Sequence, residues 1–332
     1  METRKVQRTG KSTFIVSLPK SWATKNGIQA GSIVYITQSE NGDLMLSIDR
    51  SEREIKTKLD IGDRAGEQLK RDVIGCYLGG YRSIEVSSTS MTGSQKKDLH
   101  QIVNKLIGPE ILEETVNKVI IQDLLSSEEL AAEKALRRIR TVVKSMIQDA
   151  LSALLTEDRD LASDVIQRDD DVDRLNLLIA RQFMEVLRAG SVRQETLSST
   201  TAFFFMQAAS NLERIADHAC RIAEIASQCQ YKLPAETTKE LTQLDSALAG
   251  LIDDALSCLL QSDSEKANQL IDRAREIQRS AGGIADSSGV KDPSEMIVRL
   301  VVTGSIDRML DYIVNIGELT INLSHATLKG AQ

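Results

Sequence analysis

The sequence feature that most constrains the fold is an internal repeat in the second half of the chain. The stretch Met146–Ser152 (MIQDALS) matches Leu251–Ser257 (LIDDALS), and the apolar pairs at 154–155 and 165–166 recur at 259–260 and 270–271. Further along, the pattern of Asn211–Asp217 recurs at Ser305–Asp311. Self-similarity at this scale predicts two copies of one structural unit, each built from helices.

Interruptions of the helical pattern place the boundaries of these two units. Breaks are expected near Gly190, Tyr231–Pro234 and Ser287–Pro293, which divides the region into a first repeat at 126–230 and a second at 231–332. Aromatic residues make up only 3% of the chain, which disfavours an all-β protein and suits helices packed through aliphatic side chains. We therefore expect an all-α pair of antiparallel three-helix bundles.

Composition also indicates where such a chain works. No apolar run approaches the roughly 20 residues that a membrane span needs, so no membrane insertion is expected. The four cysteines show no CxxC spacing and are expected to be buried free thiols in a reducing cytosol. These features predict a cytoplasmic protein.

Paired carboxylates are the feature of the helical region that points to chemistry. Asp169 and Asp173 are four residues apart on one predicted helix, and Glu213 and Asp217 have the same spacing on the next. Like charges at this spacing repel one another, and a hard cation with a preference for oxygen ligands is a natural counterion. The alternative is that the carboxylates are solvated or form surface ion pairs.

The second repeat keeps only half of these acids. Asp307 and Asp311 repeat the pair, but Ala274 and Gln278 stand where the first repeat has Asp169 and Asp173. A weaker metal site is therefore predicted in the second repeat. Arg221 is an obstacle in the first repeat, because its guanidinium could pair with Asp217 in place of a metal.

Residues 1–50 predict a small β-rich domain. The extended segments are Ser12–Leu18, Ser32–Gln38 and Leu44–Ile48, with Asn41-Gly42 as a hairpin turn between the last two. A short helix around Trp22–Lys25, capped by Ser21 and closed by Asn26-Gly27, follows the first segment. A unit of this size buries little surface alone, so we expect it to dimerise.

Charge distinguishes this N-terminal domain from the rest of the chain. Its seven Lys and Arg outnumber its four acids, whereas the remaining chain carries a net charge of −10. A basic head on an acidic body favours phosphate contacts with DNA, for which the candidate residues are Arg4, Lys5, Arg8, Lys11 and Lys20. A solvated basic tail is the alternative. The Gly10-Lys11-Ser12 tripeptide is not a P-loop, because Lys5 occupies the position of the first glycine.

Residues 51–125 predict a small α/β domain between the head and the helical region. The expected strands are 54–59, 82–87 and 119–124, and the expected helices are 63–77 and 94–107, the second ended by Gly108-Pro109. No catalytic motif occurs in this segment.

Two resemblances to known families follow from these residues. Residues 4–50 resemble the AbrB/SpoVT family of swapped-hairpin DNA-binding domains through Ser17–Ala23 (SLPKSWA), Gly27, Gly31, Val34 and Asn41-Gly42. The resemblance implies an interlocked homodimer with a basic face that can lie on DNA. Some members of the family serve mainly as dimerisation units, so DNA binding does not follow automatically.

The helical region resembles PhoU, a family of phosphate-uptake regulators, across both repeats. The closest stretches are Val165–Leu175 (VIQRDDDVDRL) and Leu212–His218 (LERIADH). The resemblance implies that the acid pairs hold a metal such as iron, manganese, magnesium or zinc. It also implies that the protein restrains phosphate uptake through the phosphate transporter ATPase or its signalling partner. Residues 51–125 resemble neither family.

Taken together, the sequence predicts a non-enzymatic, phosphate-responsive regulator whose head binds DNA and whose helical body senses a metal, phosphate or a partner. One alternative is a transporter-docking regulator whose head only dimerises. A metal-dependent phosphatase is a weaker alternative, because no nucleophile, base or oxyanion donor accompanies the acids in the sequence.

Overall fold

A computed structural model describes residues 2–38, 42–48, 56–125, 131–189, 197–228, 233–281 and 292–328. The chain divides into two compact units, one containing residues 1–53 and 189–195 and the other containing residues 54–188 and 196–332. Nothing in the sequence pattern alone predicted that the α/β segment and the helical repeats would form one unit.

The N-terminal unit consists of two short hairpins with one helical turn between them. Strands β1 (Gln7–Thr9) and β2 (Thr13–Ile15) pair antiparallel, as do β3 (Tyr35–Gln38) and β4 (Leu44–Ser47). The predicted second hairpin is confirmed by this pairing, and Gly42 in its connection has φ +82°, a conformation that favours glycine. Asn41 lies outside the described residues. The first hairpin was not predicted; its turn contains Gly10 and Lys11.

The short helix α1 (Lys20–Lys25) lies where the sequence predicts it, but its start differs. The N-cap is Pro19 rather than Ser21, and no side chain caps the helix. Proline has a fixed φ that suits a helix entrance, and the helix begins at Lys20, two residues earlier than an N-cap at Ser21 predicts. The predicted end is confirmed, because Asn26 is the C-cap and Gly27 has φ +66°.

The middle segment forms a four-stranded mixed sheet with two helices. In chain order the elements are β5 (Lys56–Asp60), α2 (Gly66–Leu78), β6 (Ser83–Ser87), α3 (Gly93–Asn104), β7 (Pro109–Glu114) and β8 (Lys118–Asp123). The sheet order is β5-β6-β8-β7, with β5 and β6 parallel and the other pairs antiparallel. Buried residues alternate along β6 and β8, and the buried side chains share one core with α2 and α3. Strand β7 was not predicted. Helix α3 ends at Asn104 with Lys105 as its C-cap, earlier than the predicted end at Gly108-Pro109, and Pro109 instead begins β7.

Six long helices make up the repeats within the described residues. The first repeat contains α4 (Ala132–Thr156), α5 (Arg159–Ala189) and α6 (Ser199–Gln228). The second contains α7 (Ala235–Gln261), α8 (Ser264–Ala281) and α9 (Pro293–Leu328). The expected break before Pro234 is confirmed, whereas Gly190 and residues 287–291 lie outside the described residues.

Two helix ends in this region occur without any glycine. Glu157 ends α4 and Ser262 ends α7, each in the left-handed conformation that glycine usually supplies. The next residue then starts a new helix, because the Asp158 and Asp263 carboxylates each accept a backbone N–H three residues on, both at 3.0 Å. The two aspartates occupy matching positions of the two repeats, so the same N-cap starts the second helix of each repeat.

The two repeats share one continuous hydrophobic core. Helices α6 and α9 pack against each other, and α4 packs against α7, so each repeat buries the apolar face of the other. Three cysteines are described and are free: Cys220 and Cys258 are buried and Cys76 is half-buried. In the part of the chain that the structure describes, no helix has the length and apolar character that a bilayer crossing requires.

Candidate functional site

The four predicted metal ligands of the first repeat come together between α5 and α6. Asp169 and Asp173 lie on α5, and Glu213 and Asp217 lie on α6. Val172 of α5 and Leu212 of α6 are both buried in the shared hydrophobic core, and the Cys220 thiol of α6 makes a long contact with the Val165 carbonyl of α5 at 3.9 Å. The acids of the two helices are close enough to shift one another's pKa values. We call these four residues the carboxylate cluster.

Burial and mutual repulsion raise the pKa of every member of this cluster. Burial is the largest cause for Glu213, and the charges of Asp217 and Asp173 add to it, which raises the pKa of Glu213 to about 7. Burial, followed by the charges of Asp169 and Asp217, raises the pKa of Asp173 to about 6. Asp169 and Asp217 also have raised pKa values, again chiefly through burial. The coupling runs across both helices, so the four groups form one electrostatic unit.

Within the described residues this repulsion is only partly offset, by the charges of Lys105, Arg214 and Arg221. None of the four carboxylates makes an ion pair within 4 Å there, and one oxygen of Asp169 is buried without a hydrogen-bond partner. Such a group fits a hard cation, which would supply the missing positive charge through oxygen ligands. Among the residues that the structure describes, however, no three acid, histidine or cysteine side chains already share one metal position. Side-chain rotation would therefore accompany binding.

In the second repeat, an arginine of the chain offsets the negative charge of the acid pair. One oxygen of Asp311 receives the guanidinium of Arg275 at 3.0 Å and the amide of Gln278 at 3.1 Å, both from α8. Arg308 contributes a longer ion pair to Asp311 at 3.7 Å. Asp307 keeps a raised pKa, mainly through burial and then through Asp311. A guanidinium thus occupies the surroundings of Asp311 that a cation would need.

Arg221 does not take the corresponding place in the first repeat. It makes no ion pair with Asp217 within 4 Å, although its charge lowers the pKa of that carboxyl somewhat against the effect of burial. Instead it lines a separate cleft between α6 and α9. The sequence analysis missed Arg275, because Arg275 and Asp311 are 36 residues apart on different helices. The only signal in the sequence was that the second repeat keeps Asp311 but has lost the acids at positions 274 and 278.

Five basic residues of the N-terminal unit were predicted to contact DNA, and all five are exposed. Arg4 and Lys5 precede β1, Arg8 lies in β1, Lys11 lies in the hairpin turn and Lys20 starts α1. Arg8 donates to the Lys11 carbonyl across the turn, and Arg4 pairs with Glu2. Four of the five therefore lie on or directly before one small hairpin.

This unit also leaves its apolar side chains in contact with solvent. None of residues 2–36, 38 and 42–48 is buried, and the exposed fractions reach 70% at Phe14 and Ile33 and 68% at Leu44. These described residues therefore form no core of their own.

The middle domain is fastened to the helix that carries half of the carboxylate cluster. Arg181 of α5 is 2% exposed, donates to the carbonyls of Tyr77 and Tyr81 at 2.7 and 3.1 Å, and pairs with Asp123 at 2.7 Å and with Glu185 at 3.3 Å. A buried guanidinium with two carboxylates and two carbonyls around it is a strong anchor once formed. An exposed ion pair from Lys105 to Asp170 at 2.8 Å adds a second link.

Comparison with known protein families gives two matches in different parts of the chain. The PhoU domain matches residues 136–226, which span most of the first helical repeat. The family described as "Antidote-toxin recognition MazE, bacterial antitoxin" matches residues 7–55, which cover most of the N-terminal unit. Each match falls on a region that the sequence had assigned to a regulator or to a DNA-binding type of domain.

Relatives and solved structures agree with the first of these matches. A phosphate-specific transport system accessory protein PhoU homolog from Clostridium acetobutylicum is 24% identical over 214 residues, which are 62% of this chain and 94% of the relative. A homolog from Caulobacter vibrioides is 36% identical over 95 residues, which are 29% of this chain and 39% of the relative. The crystal structure of PhoU from Pseudomonas aeruginosa has a TM-score of 0.51 at 22% identity and covers 59% of this chain and 96% of its own. That structural likeness supports the fold of the helical repeats.

Proposed function

Given that the chain is a member of the PhoU family with an N-terminal domain of the MazE/AbrB type, we propose that it is a phosphate-responsive transcriptional regulator of phosphate uptake. In this proposal the protein acts in the cytoplasm, as a homodimer, without enzymatic activity. The observation that carries the proposal is the joining of an exposed basic hairpin to a helical body whose relatives are named as accessory proteins of phosphate transport.

The head supports both DNA binding and dimerisation. Arg4, Lys5, Arg8, Lys11 and Lys20 are exposed and provide the positive charge that phosphate contacts require. The exposed Phe14, Ile33 and Leu44 need a partner surface, and a second copy of the same hairpins supplies one. Two heads in one dimer would present two basic hairpins to one DNA duplex.

The body supports sensing through the carboxylate cluster. Asp169, Asp173, Glu213 and Asp217 are the residues that would hold a cation such as iron, manganese, magnesium or zinc, and Asp307 and Asp311 would hold one only weakly. A bound cation would neutralise the repulsion between α5 and α6. Because α5 is anchored to the middle domain through Arg181, the state of the cluster can bias the position of that domain.

A DNA-binding measurement tests this proposal. Binding of the full chain to fluorescently labelled promoter-length DNA should weaken as salt rises, with a slope of about 0.9 in log K against log salt for each phosphate contacted. Reversing Lys5, Arg8 and Lys11 to glutamate should weaken binding and flatten this slope while the dimer persists. The matched control reverses three exposed basic residues of the other unit, Lys97, Lys134 and Arg138, and should bind as the wild type does.

A genome-wide binding map of the tagged protein in high and low phosphate then tests the regulatory role. Enrichment at genes of phosphate uptake that changes with phosphate is the expected result. If the purified protein ignores DNA at physiological salt while it binds the phosphate transporter ATPase or its signalling partner, the head serves dimerisation alone and the transcriptional proposal fails.

A further inference from the structure

Two clefts flank the contact between α6 and α9. The larger has a volume of about 840 Å³ and is lined by Arg221 and Glu224 of α6 and by Ser305 and Arg308 of α9, among others. The smaller has a volume of about 300 Å³ and contains Arg214. We call them the two-arginine cleft and the one-arginine cleft.

These clefts are copies of one feature, related by the internal repeat. The match of Asn211–Asp217 to Ser305–Asp311 places Arg214 on Arg308 and, continued along the helices, Arg221 on Asn315 and Glu224 on Glu318. The one-arginine cleft is lined by Arg214, Asn315 and Glu318, and the two-arginine cleft by Arg308, Arg221 and Glu224. His218 and Tyr312, which also match each other, are in contact between them with ring centroids 6.0 Å apart.

The two copies differ in charge and in room. Arg221 adds a guanidinium where the other cleft has Asn315. The two-arginine cleft therefore contains two arginines and one glutamate, whereas the one-arginine cleft contains one of each. In the other cleft an amide–amide hydrogen bond from Asn315 to Asn211 at 3.2 Å crosses the space. Ser305 stands where Asn211 would be and makes no such bridge within the described residues. The one-arginine cleft is thus narrowed by its own side chains, and the two-arginine cleft has more room.

The polar groups of the two-arginine cleft lack strong partners. Among the described residues Arg221 has no ion pair within 4 Å, and Arg308 reaches Asp311 only at 3.7 Å. His218 is 9% exposed, lines the cleft, and has an Nδ1 atom that is buried without a hydrogen-bond partner. Arg221 and Arg308 therefore keep guanidinium donors that an anionic ligand in the cleft could use.

The size and the remaining wall indicate what kind of ligand fits. A volume of about 840 Å³ lies in the roughly 300–1,000 Å³ range of small-molecule sites and far exceeds the needs of a single phosphate ion. Leu300, which is 70% exposed, and Ile225 provide apolar surface beside the arginines. Guanidinium groups match the oxygens of phosphate in a planar, two-pronged geometry.

We propose that the two-arginine cleft binds a small organic phosphate, whose phosphoryl group lies on Arg221 and Arg308 and whose less polar part lies on Ile225, Leu300 and Tyr312. The proposal deepens the proposed function by naming a class of effector for a phosphate-responsive regulator, and it rests on that function only for its biological purpose. Binding is measured without DNA or transporter, so its failure is distinguishable from a failure of DNA binding.

The experiment is a calorimetric titration of the full-length, EDTA-treated protein with ADP, inorganic phosphate and adenosine as separate probes. ADP should bind saturably, phosphate more weakly and adenosine weakest. Arg221→Asn, which installs the residue found at the matching position, and Arg308→Gln should each weaken ADP binding by about tenfold or more, as expected for the loss of a charged hydrogen bond. The matched control is Arg214→Gln in the one-arginine cleft. The Arg214 guanidinium lies over the Tyr312 ring at 5.6 Å but does not line the two-arginine cleft, so this variant should weaken ADP binding far less than Arg308→Gln does.

Three outcomes would overturn the proposal. They are an absence of saturable ADP binding, equal weakening by Arg214→Gln and Arg308→Gln, and equal affinities for phosphate and ADP, which would remove the role of the apolar wall. Circular dichroism of each variant shows whether it is folded. If Arg308→Gln fails to fold, the Arg221→Asn variant decides the question, because Arg221 is exposed and makes no ion pair among the described residues.

Discussion

Neutralising Glu213 should stabilise the metal-free protein, although most substitutions destabilise. Burial and the neighbouring acids raise the pKa of Glu213 to about 7 from an ordinary value of 4.5. Between these two pH values the folded chain holds a proton at this site that the unfolded chain has lost, so stability falls as pH rises through the window. The unfavourable contribution is absent below about pH 4.5 and complete above about pH 7.

The magnitude follows from the pKa and from solvent exposure. A carboxylate titrating near 7 instead of 4.5 corresponds to roughly 3 kcal/mol for a fully shielded group. Glu213 is only half-buried, and solvent screening reduces this figure, so we expect Glu213→Gln to gain about 1 kcal/mol at pH 8. For a helical domain of about 200 residues that gain is a rise of roughly 2–4 °C in Tm.

The assay is thermal unfolding of EDTA-treated protein, followed by far-ultraviolet circular dichroism at pH 5 and pH 8. The variant should melt above the wild type at pH 8 and close to it at pH 5. Glu276→Gln, at an exposed site on α8, is the control and should show little difference at either pH. With saturating Mn²⁺ the order should reverse, because a bound ligand stabilises the folded state and the variant lacks one carboxylate. A variant less stable than the wild type at pH 8 without metal would refute the reasoning.

Three further predictions follow from the same structure. Metal affinity should rise between pH 6 and pH 8, because binding displaces protons from Asp173 and Glu213, whose pKa values are about 6 and 7. Competition titrations that find the same affinity over this range would contradict this. The Asp307→Asn variant should bind as much metal as the wild type. Urea titrations should show that Arg181→Met lowers the free energy of unfolding by about 3–5 kcal/mol, because it leaves the Asp123 and Glu185 carboxylates of the buried anchor without their positive partner. The control Arg188→Met, which removes a contact with the Tyr81 ring, should lower it by less than about 1 kcal/mol. The full chain should be a dimer in light scattering at micromolar concentration, and a monomer there would exclude the second copy as the partner of the exposed head residues.

The helical repeats and their acid pairs were predictable because both depend on local spacing. Apolar periodicity placed the helices, and the interval of four residues placed Asp169 with Asp173 and Glu213 with Asp217 on single faces. The antiparallel three-helix unit also predicted that the helices carrying the two pairs are neighbours. What the sequence could not supply was how deeply each acid would be buried, which sets the pKa values of Asp173 and Glu213.

The elements that were missed lack a local signal. Strand β7 reads PEILEE, without regular alternation, and pairs with β8 through a register shift between Ile111 and Glu113, so tertiary pairing rather than propensity makes it a strand. Glu157 and Ser262 end helices without glycine, although the matching Asp158 and Asp263 caps were there to be found by comparing the repeats. The pairing of Arg275 with Asp311 depends on helix contact alone.

The continuity of α5 gives the anchor at Arg181 a mechanical consequence. Asp173 and Arg181 are eight residues apart on one unbroken helix, which at 1.5 Å per residue is a separation of about 12 Å along its axis. A rotation or slide of α5 at the acids would therefore also move Arg181, which contacts Tyr77 of α2 and Asp123 of β8 in the middle domain. The position of the middle domain would therefore depend on how α5 packs against α6.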